Sequence, residues 1–175
     1  MTDVPYPSYS YLSPATIGMA LGLARELVAA AEQVRLLVSG PSNNMAMGTF
    51  GRAGDRLVAI RHWVGPHRDT FDQLMQNEME SAQLTTERLQ QEADAWARFW
   101  ATATNARNDR LHDEAMADHR QASADHQVRM TEYENAVIDD TSAMQYLRPP
   151  MPPVAPTRPP PVSVPTAESG YQPTG

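Results

Sequence analysis

Histidine recurs at seven-residue spacing, at His112, His119 and His126, and imidazole is a side chain suited both to metal binding and to proton transfer near neutral pH. On a helix the three residues share one face, but neighbours stand about 10.5 Å apart along the axis. A single metal needs its ligands at about 2 Å, so this spacing is far too wide for one shared ion. We therefore interpret the histidines as a solvated helix face, with a pH-sensitive interface as the alternative.

Carboxylates are the other candidate chemistry, because paired acids can act as general acid and base. Pairs such as Glu78 with Glu80, or Asp113 with Glu114, accompany no glycine-rich loop, buried histidine or nucleophile-elbow serine. The glycines of residues 40–54 lack the Gly-Lys-Ser/Thr ending of a phosphate loop. The sequence predicts no catalytic residue, no cofactor, no cofactor-binding residue and no metal ligand, and we expect a non-enzymatic protein.

The composition excludes several further classes. The 175 residues carry a formal net charge of -7 and contain no cysteine, which rules out disulfides, thiolate catalysis and cysteine-zinc sites. Nucleic acid is disfavoured as a partner because phosphate neutralisation needs clustered basic residues. Every cationic side chain apart from histidine is arginine, which points to a high-GC genome.

The elements that must position these residues are helices. Alanine, glutamine, glutamate, arginine and methionine abound, and no alternating run of strand length occurs, so the composition predicts an all-α fold. Residues 1–13 are predicted to be a flexible N-terminus. Ser13 and Pro14 then form a helix start, and an apolar stripe at steps of three and four predicts a helix over residues 14–39.

The rest of the predicted domain follows a glycine-rich linker over residues 40–54. A short helix is expected over residues 55–64 and a long helix over residues 66–138, which after Pro66 contain neither proline nor glycine. Weak helix formers at residues 102–110 allow a break there. Together these elements predict an elongated antiparallel helical hairpin over residues 14–138.

The remaining residues, 139–175, predict a disordered proline-rich tail. Its "PPVAP" and "RPPPVSVP" stretches could dock in an aromatic groove, but we favour a solvated tail with no dedicated partner. The best apolar run, residues 17–34, is interrupted by Arg25 and Glu26, so we expect it to be too short and too charged to span a membrane. The N-terminus lacks the positive region of a cleavable signal peptide, and a soluble protein is expected.

The first half of the long helix carries a heptad pattern, with apolar positions alternating at steps of four and three. We expect this seam to lie against another helix, either the first helix or a second molecule. The seam residues are Phe71, Met75, Met79, Ala82, Thr86, Leu89, Ala93, Trp96, Trp100 and Ala103.

The predicted junction between the helices carries Trp63-Val64-Gly65, with Phe71 eight residues after the tryptophan. A tryptophan at the end of one helical arm can fill the splayed end of a hairpin, and glycine permits a tight turn. A chance occurrence of this combination has a probability of roughly 0.01 in a chain of this composition.

This pattern resembles the WXG (Trp-x-Gly) superfamily, small helical-hairpin proteins of type VII (ESX) secretion systems that are similar to early secreted antigens. The resemblance implies homo- or heterodimers that form a four-helix bundle, and recognition by a secretion ATPase or chaperone. It also implies that Trp63 and Gly65 form the turn motif and part of the export surface, with Phe71 as the aromatic that follows. The protein would be cytoplasmic before export and then secreted or on the cell surface.

The resemblance covers roughly residues 14–105, and the chain departs from the family at two points. The linker at residues 40–54 is longer than usual, and no tyrosine is followed by three residues and then an acid, as the family's export signal requires. We therefore expect a type VII secretion substrate, or a secretion-associated partner with the signal on another chain. The alternative is a cytoplasmic coiled-coil scaffold that recruits partners through its proline-rich tail.

Overall fold

The computed structural model describes residues 6–39, 64–139 and 148–173. The expected linker, Trp63 and nearly all of the expected short helix lie outside the described residues. Within the described residues all regular structure is helical, and no strand occurs. The fold class predicted from composition is therefore confirmed at the level of an all-helical protein.

Helix α1, Pro14–Ser39, begins at a side-chain cap. The Thr16 amide donates to Ser13 Oγ at 3.0 Å, and Pro14 stands at the first helical position, where a missing N–H has no cost. The buried face follows the apolar stripe of the sequence, because residues three and four apart share one side of a helix. Its buried residues are Ile17, Ala20, Leu21, Ala24 and Ala31.

Helix α2, Pro66–Asp139, starts directly after Gly65, whose carbonyl accepts the amides of Arg68 and Asp69 at 2.9 and 3.3 Å. The Asp69 carboxylate lies in the first turn, where the helix dipole favours an anion. The helix continues without interruption through residues 102–110, where the sequence allowed a break. Threonine, asparagine and aspartate lower helix propensity by less than about 1 kcal/mol each, so no single residue there ends the helix.

The chain divides into two compact units, and each is described separately. The hairpin unit comprises Ser13–Thr102 and Val162–Gly175, and the stem unit comprises Met1–Leu12 and Ala103–Pro161. The hairpin unit contains α1 and the first half of α2, which form a helical hairpin.

The hairpin core is built from small side chains. Ala24 of α1 and Ala93 and Ala97 of α2 are all 0% exposed and belong to one cluster, with Leu27 and Val28 packed against it. Helix separation depends on the side chains at the contact, so alanine on both helices lets the two backbones approach closely.

In the stem unit a 3-10 helix, Tyr6–Tyr11, lies against the second half of α2. Arg110 Nε donates to the Ser10 carbonyl at 2.9 Å, and the guanidinium stands 5.1 Å from the centre of the Tyr11 ring. Part of the N-terminus that composition marked as flexible is therefore held by one arginine through a hydrogen bond and a cation–π contact.

The proline-rich segment of the stem unit also contacts α2. Arg158 donates to Asp109 through two nitrogens, at 2.6 and 3.2 Å. Asp109 lies roughly 45 Å before the helix end at Asp139, so the chain after the helix doubles back along α2. The half-buried residues of this segment recur at every third position, the period of a polyproline II helix: Pro150, Pro153 and Pro156.

Candidate functional site

The predicted turn motif is described only in part, because Trp63 lies outside the described residues. Gly65 has a φ of 105°, in the left-handed region that favours glycine, and a Cβ there would meet no atom within 4 Å. The need for glycine is therefore conformational and not steric. Phe71 is half-buried on the second turn of α2, and Val64 is exposed.

The predicted seam lies partly inside the hairpin. Ala93 is buried against α1, whereas Met79 is 50% exposed and Trp96 is 36% exposed. Phe99, which the heptad pattern left off the seam, packs edge-to-face on Trp96 with ring centres 5.8 Å apart. The other seam residues of the hairpin unit are half-buried: Phe71, Met75, Ala82, Thr86, Leu89 and Trp100.

Sequence reasoning missed a second apolar stripe on α1, here called the α1 stripe. Met19, Leu23 and Leu37 are 67%, 38% and 55% exposed, with half-buried residues between them. The positions follow at steps of four, four, three, four and three, which places them on one face of the helix. The α1 stripe consists of Met19, Leu23, Leu27, Ala30, Val34 and Leu37.

Helix α1 is apolar on more than one face, so it also resembles a membrane-spanning helix in composition. By length and composition alone, Pro14–Val38 is apolar enough to cross a membrane, and only 28% of its apolar window is buried. The expectation that this run is too short and too charged to span a membrane therefore stays a prediction. A core helix of a soluble protein and an N-terminal signal sequence meet the same criterion.

The end of the proline-rich tail occupies a cleft of the hairpin unit. Tyr171 is 1% exposed, and its hydroxyl donates to Asp94 Oδ1 at 2.7 Å. Arg25 Nη2 donates to the Tyr171 carbonyl at 3.1 Å and to Gln172 Oε1 at 3.3 Å. We call this site the tyrosine cleft, and its residues are Ala24, Arg25, Ala93, Asp94 and Ala97.

A compact turn presents Tyr171 to the cleft. The Tyr171 amide donates to the Thr166 carbonyl at 3.0 Å, and Ser169 Oγ donates to the same carbonyl at 2.9 Å. Gly170 and Tyr171 have φ values of 60° and 54°. This left-handed conformation is uncommon for a residue with a side chain. The hydrogen bonds of the turn and the contacts of Tyr171 in the cleft hold it in place.

The electrostatics of the cleft favour a neutral phenol. Burial, then the hydrogen bond and charge of Asp94, raise the pKa of Tyr171 to about 12, while the charge of Arg98 opposes them. An ionised tyrosine would place a second negative charge beside the Asp94 carboxylate.

The disorder expected for the whole tail is not confirmed. Residues 148–173 are described without regular secondary structure beyond a turn, and they contact helices in both units at Arg158 and Tyr171. Composition indicated disorder because few residues of the tail can be buried. A lone tyrosine among prolines and small polar residues was the available signal of an anchor.

The heptad histidines are half-buried, and the interpretation of a fully solvated face is too simple. The Nδ1 atoms of His112, His119 and His126 are buried and have no hydrogen-bond partner among the described residues. Within the same part of the chain, no group of three or more histidine, aspartate or glutamate residues could hold a metal. The pH-sensitive interface stays a hypothesis.

An open depression of about 550 Å³ in the stem unit gathers acidic side chains. Asp109, Asp113 and Glu114 line it together with Arg110, which forms a salt bridge to Glu114. Acidic side chains next to an arginine also occur in ordinary salt bridges on a protein surface. The lining of the depression therefore indicates no particular reaction.

Comparisons with protein-family models, curated proteins and solved structures find no significant match to this chain. The resemblance to the WXG superfamily therefore depends on Trp63, Gly65 and Phe71 and on the predicted junction around them.

Proposed function

We propose that this chain is a non-enzymatic helical-bundle protein that associates with a second helical hairpin, either its own copy or a WXG-like partner. In this proposal it serves a type VII secretion system as a substrate or as a secretion-associated partner. The observation that carries the proposal is the α1 stripe, because the hairpin leaves its residues Met19, Leu23 and Leu37 exposed.

A helix that is apolar on more than one face needs more than one neighbour. Helix α2 covers the face of α1 that contains Ala24, whereas Met19, Leu23 and Leu37 remain exposed on the other face. Full burial of each such side chain contributes about 1.5–3 kcal/mol. A partner that lies along the stripe would bury these side chains, and this burial would stabilise the complex.

The spacing of the stripe favours a helix as the partner. Steps of three and four are those with which a helix presents a continuous seam to another helix. The seam residues Met79 and Trp96 of α2 keep half and about a third of their surface exposed, and they could extend the contact. Four helices from two hairpins would then form one bundle.

The association is tested by sedimentation of the full chain over a concentration series, alone and with candidate hairpin partners from its host. Leu37→Glu places a charge on the α1 stripe and should raise the dissociation constant at least tenfold. Leu84→Glu is the matched control, because Leu84 is equally exposed at 55% but lies on α2 away from the stripe. It should change the dissociation constant by less than twofold.

Equal effects of the two substitutions, or a chain that stays monomeric with every hairpin tested, would refute association through α1. A membrane is the alternative partner for the stripe, because α1 has the length and composition of a membrane-spanning helix. Flotation of the wild-type chain with lipid vesicles, abolished by Leu37→Glu, would assign the stripe to a membrane.

The secretion role rests on the motif at the helix junction. Culture filtrates of the host expressing the tagged chain should contain the protein only when the type VII ATPase is intact. Trp63→Ala should reduce the exported amount, and a cytoplasmic marker controls for lysis. Retention of the wild-type chain in cells, with a hairpin partner co-expressed, would contradict this role.

A cytoplasmic scaffold is the second candidate, and one observation favours it. Pro159, Pro160 and Pro161 are exposed next to Arg158, which is 65% exposed on its side chain despite its bond to Asp109. Proline-rich segments with a flanking arginine suit aromatic-lined grooves. A cellular complex lost on Pro159→Ala and Pro160→Ala, together with retention in cells, would favour the scaffold.

A further inference from the structure

The tail residues that occupy the tyrosine cleft behave more like a bound peptide than like part of a core. Between residues 162 and 173 only Pro165 and Tyr171 are buried, and the other residues are half-buried or exposed. The segment has a single turn and no helix or strand. The Tyr171 side chain anchors it in the core cluster, and charged groups of the two helices contact Tyr171 and Gln172, which is how peptide sites combine an anchor with polar contacts.

We propose that the tyrosine cleft is a peptide-binding site for a tyrosine presented on a tight turn, and that residues 162–173 are its displaceable ligand within the same chain. Leu27 of the α1 stripe packs against this site, but the exposed stripe residues Met19, Leu23 and Leu37 do not belong to it. The inference therefore does not depend on association through α1.

The lining of the cleft defines the ligand. Three alanine side chains form a small apolar floor that accepts an aromatic ring. The Asp94 carboxylate accepts a hydrogen bond from a neutral phenol, so it selects tyrosine over phenylalanine and repels a phosphorylated tyrosine. Arg25 donates hydrogen bonds to the carbonyl of the tyrosine and to the side-chain oxygen of the glutamine after it.

A second peptide can displace the tail because the contact that holds the tail is small, although the tether opposes displacement. A flexible tether keeps its ligand at an effective concentration in the millimolar range. The tail therefore fills the cleft most of the time only if a free peptide of the same sequence binds the cleft with a Kd below about 1 mM. A peptide from another chain can compete with a tail that is bound this weakly. The left-handed conformation of Tyr171 also opposes docking.

The test measures binding of a fluorescein-labelled peptide with the sequence of residues 162–173 to the full chain, by fluorescence anisotropy. The receptor is the Tyr171→Ala chain, in which the tail no longer fills the cleft, and its fold is checked by circular dichroism. We expect a Kd below about 1 mM, and at least about twofold weaker binding to the wild-type chain, whose own tail competes.

Two further variants locate the binding site. Asp94→Ala in the Tyr171→Ala receptor should weaken binding at least tenfold, whereas Glu92→Ala, which removes an exposed carboxylate from the same helix, should leave it unchanged. A peptide with alanine in place of its tyrosine should not bind. If the receptor variants fail to fold, an excess of unlabelled peptide should speed hydrogen exchange at the Tyr171 amide of the wild-type chain.

Three outcomes would overturn the proposal. The peptide could fail to bind at 1 mM, it could bind the wild-type and Tyr171→Ala chains equally, or Asp94→Ala and Glu92→Ala could have the same effect. In the exchange measurement, unchanged protection of the Tyr171 amide in excess peptide would overturn it as well.

Discussion

Replacing Tyr171 by phenylalanine removes one hydrogen bond from the tyrosine cleft and leaves the ring in place. The lost interaction is the 2.7 Å bond from the phenol to Asp94. We expect the docked tail to open more often, while α1 and α2 keep their helical structure. The Tyr171→Phe variant therefore separates the polar contact from the apolar burial.

The magnitude follows from the nature of the acceptor. A hydrogen bond to a charged group contributes about 1.5–3 kcal/mol. Asp94 is only half-buried, and water can solvate the carboxylate after the substitution, so the lower end applies. A loss of about 1.4 kcal/mol raises the open population about tenfold. Tyr171→Ala also removes the buried ring, and truncation of a buried aromatic costs about 3–5 kcal/mol, enough to leave the tail largely undocked.

Hydrogen exchange is the suitable assay, because the tail can open without global unfolding. The amides of Tyr171 and Gly170 donate to carbonyls of the same turn, Thr166 and Ala167, both at 3.0 Å. Their protection should fall about tenfold in Tyr171→Phe and far more in Tyr171→Ala. Tyr11→Phe is the control, because it also removes a tyrosine hydroxyl but at a residue that is 76% exposed.

A double-mutant cycle with Asp94→Ala decides whether the reasoning holds. If the phenol acts through Asp94, Tyr171→Phe should change protection little once Asp94 is alanine. The argument is refuted if Tyr171→Phe leaves the protection of both amides unchanged, or if its effect is equally large in the Asp94→Ala background.

Three other perturbations have defined outcomes. High pH should release the tail: the pKa of Tyr171 is raised to about 12, and a free tyrosine titrates near 10, so docking is complete below about pH 10 and lost as the pH rises towards 12. Absorbance at 295 nm should show a late-titrating component that Tyr171→Phe removes, and an unchanged late component in that variant would contradict this. Ser13→Ala should lower the free energy of unfolding in urea by about 1 kcal/mol, because the Thr16 amide loses its acceptor, whereas Ser13→Thr should not, and equal effects would argue against the cap. Arg158→Ala should leave the free energy of unfolding in the same assay nearly unchanged, because Arg158 and Asp109 are both largely exposed, and a clear loss of stability would show that the bond is not screened by solvent.

Much of the helical structure could be read from local sequence. Ser13 and Pro14 start α1 through a cap formed within four residues, and the stripe containing Ile17 and Ala24 sets its buried face. The absence of proline and glycine after Pro66 allows one helix to reach Asp139. These features depend on contacts between residues three or four apart, and periodicity records such contacts directly.

The tertiary structure decided which apolar surface is covered and where the tail docks. Leu21 and Leu23 are equally apolar, yet Leu21 is 5% exposed and Leu23 38%, because α2 packs on only one face of α1. Tyr171 contacts Asp94 and Arg25 across 77 and 146 residues of chain. No local period encodes a pairing at such separation. It exists because two helices bring a carboxylate, a guanidinium and alanine methyl groups together where the tail buries the ring of Tyr171.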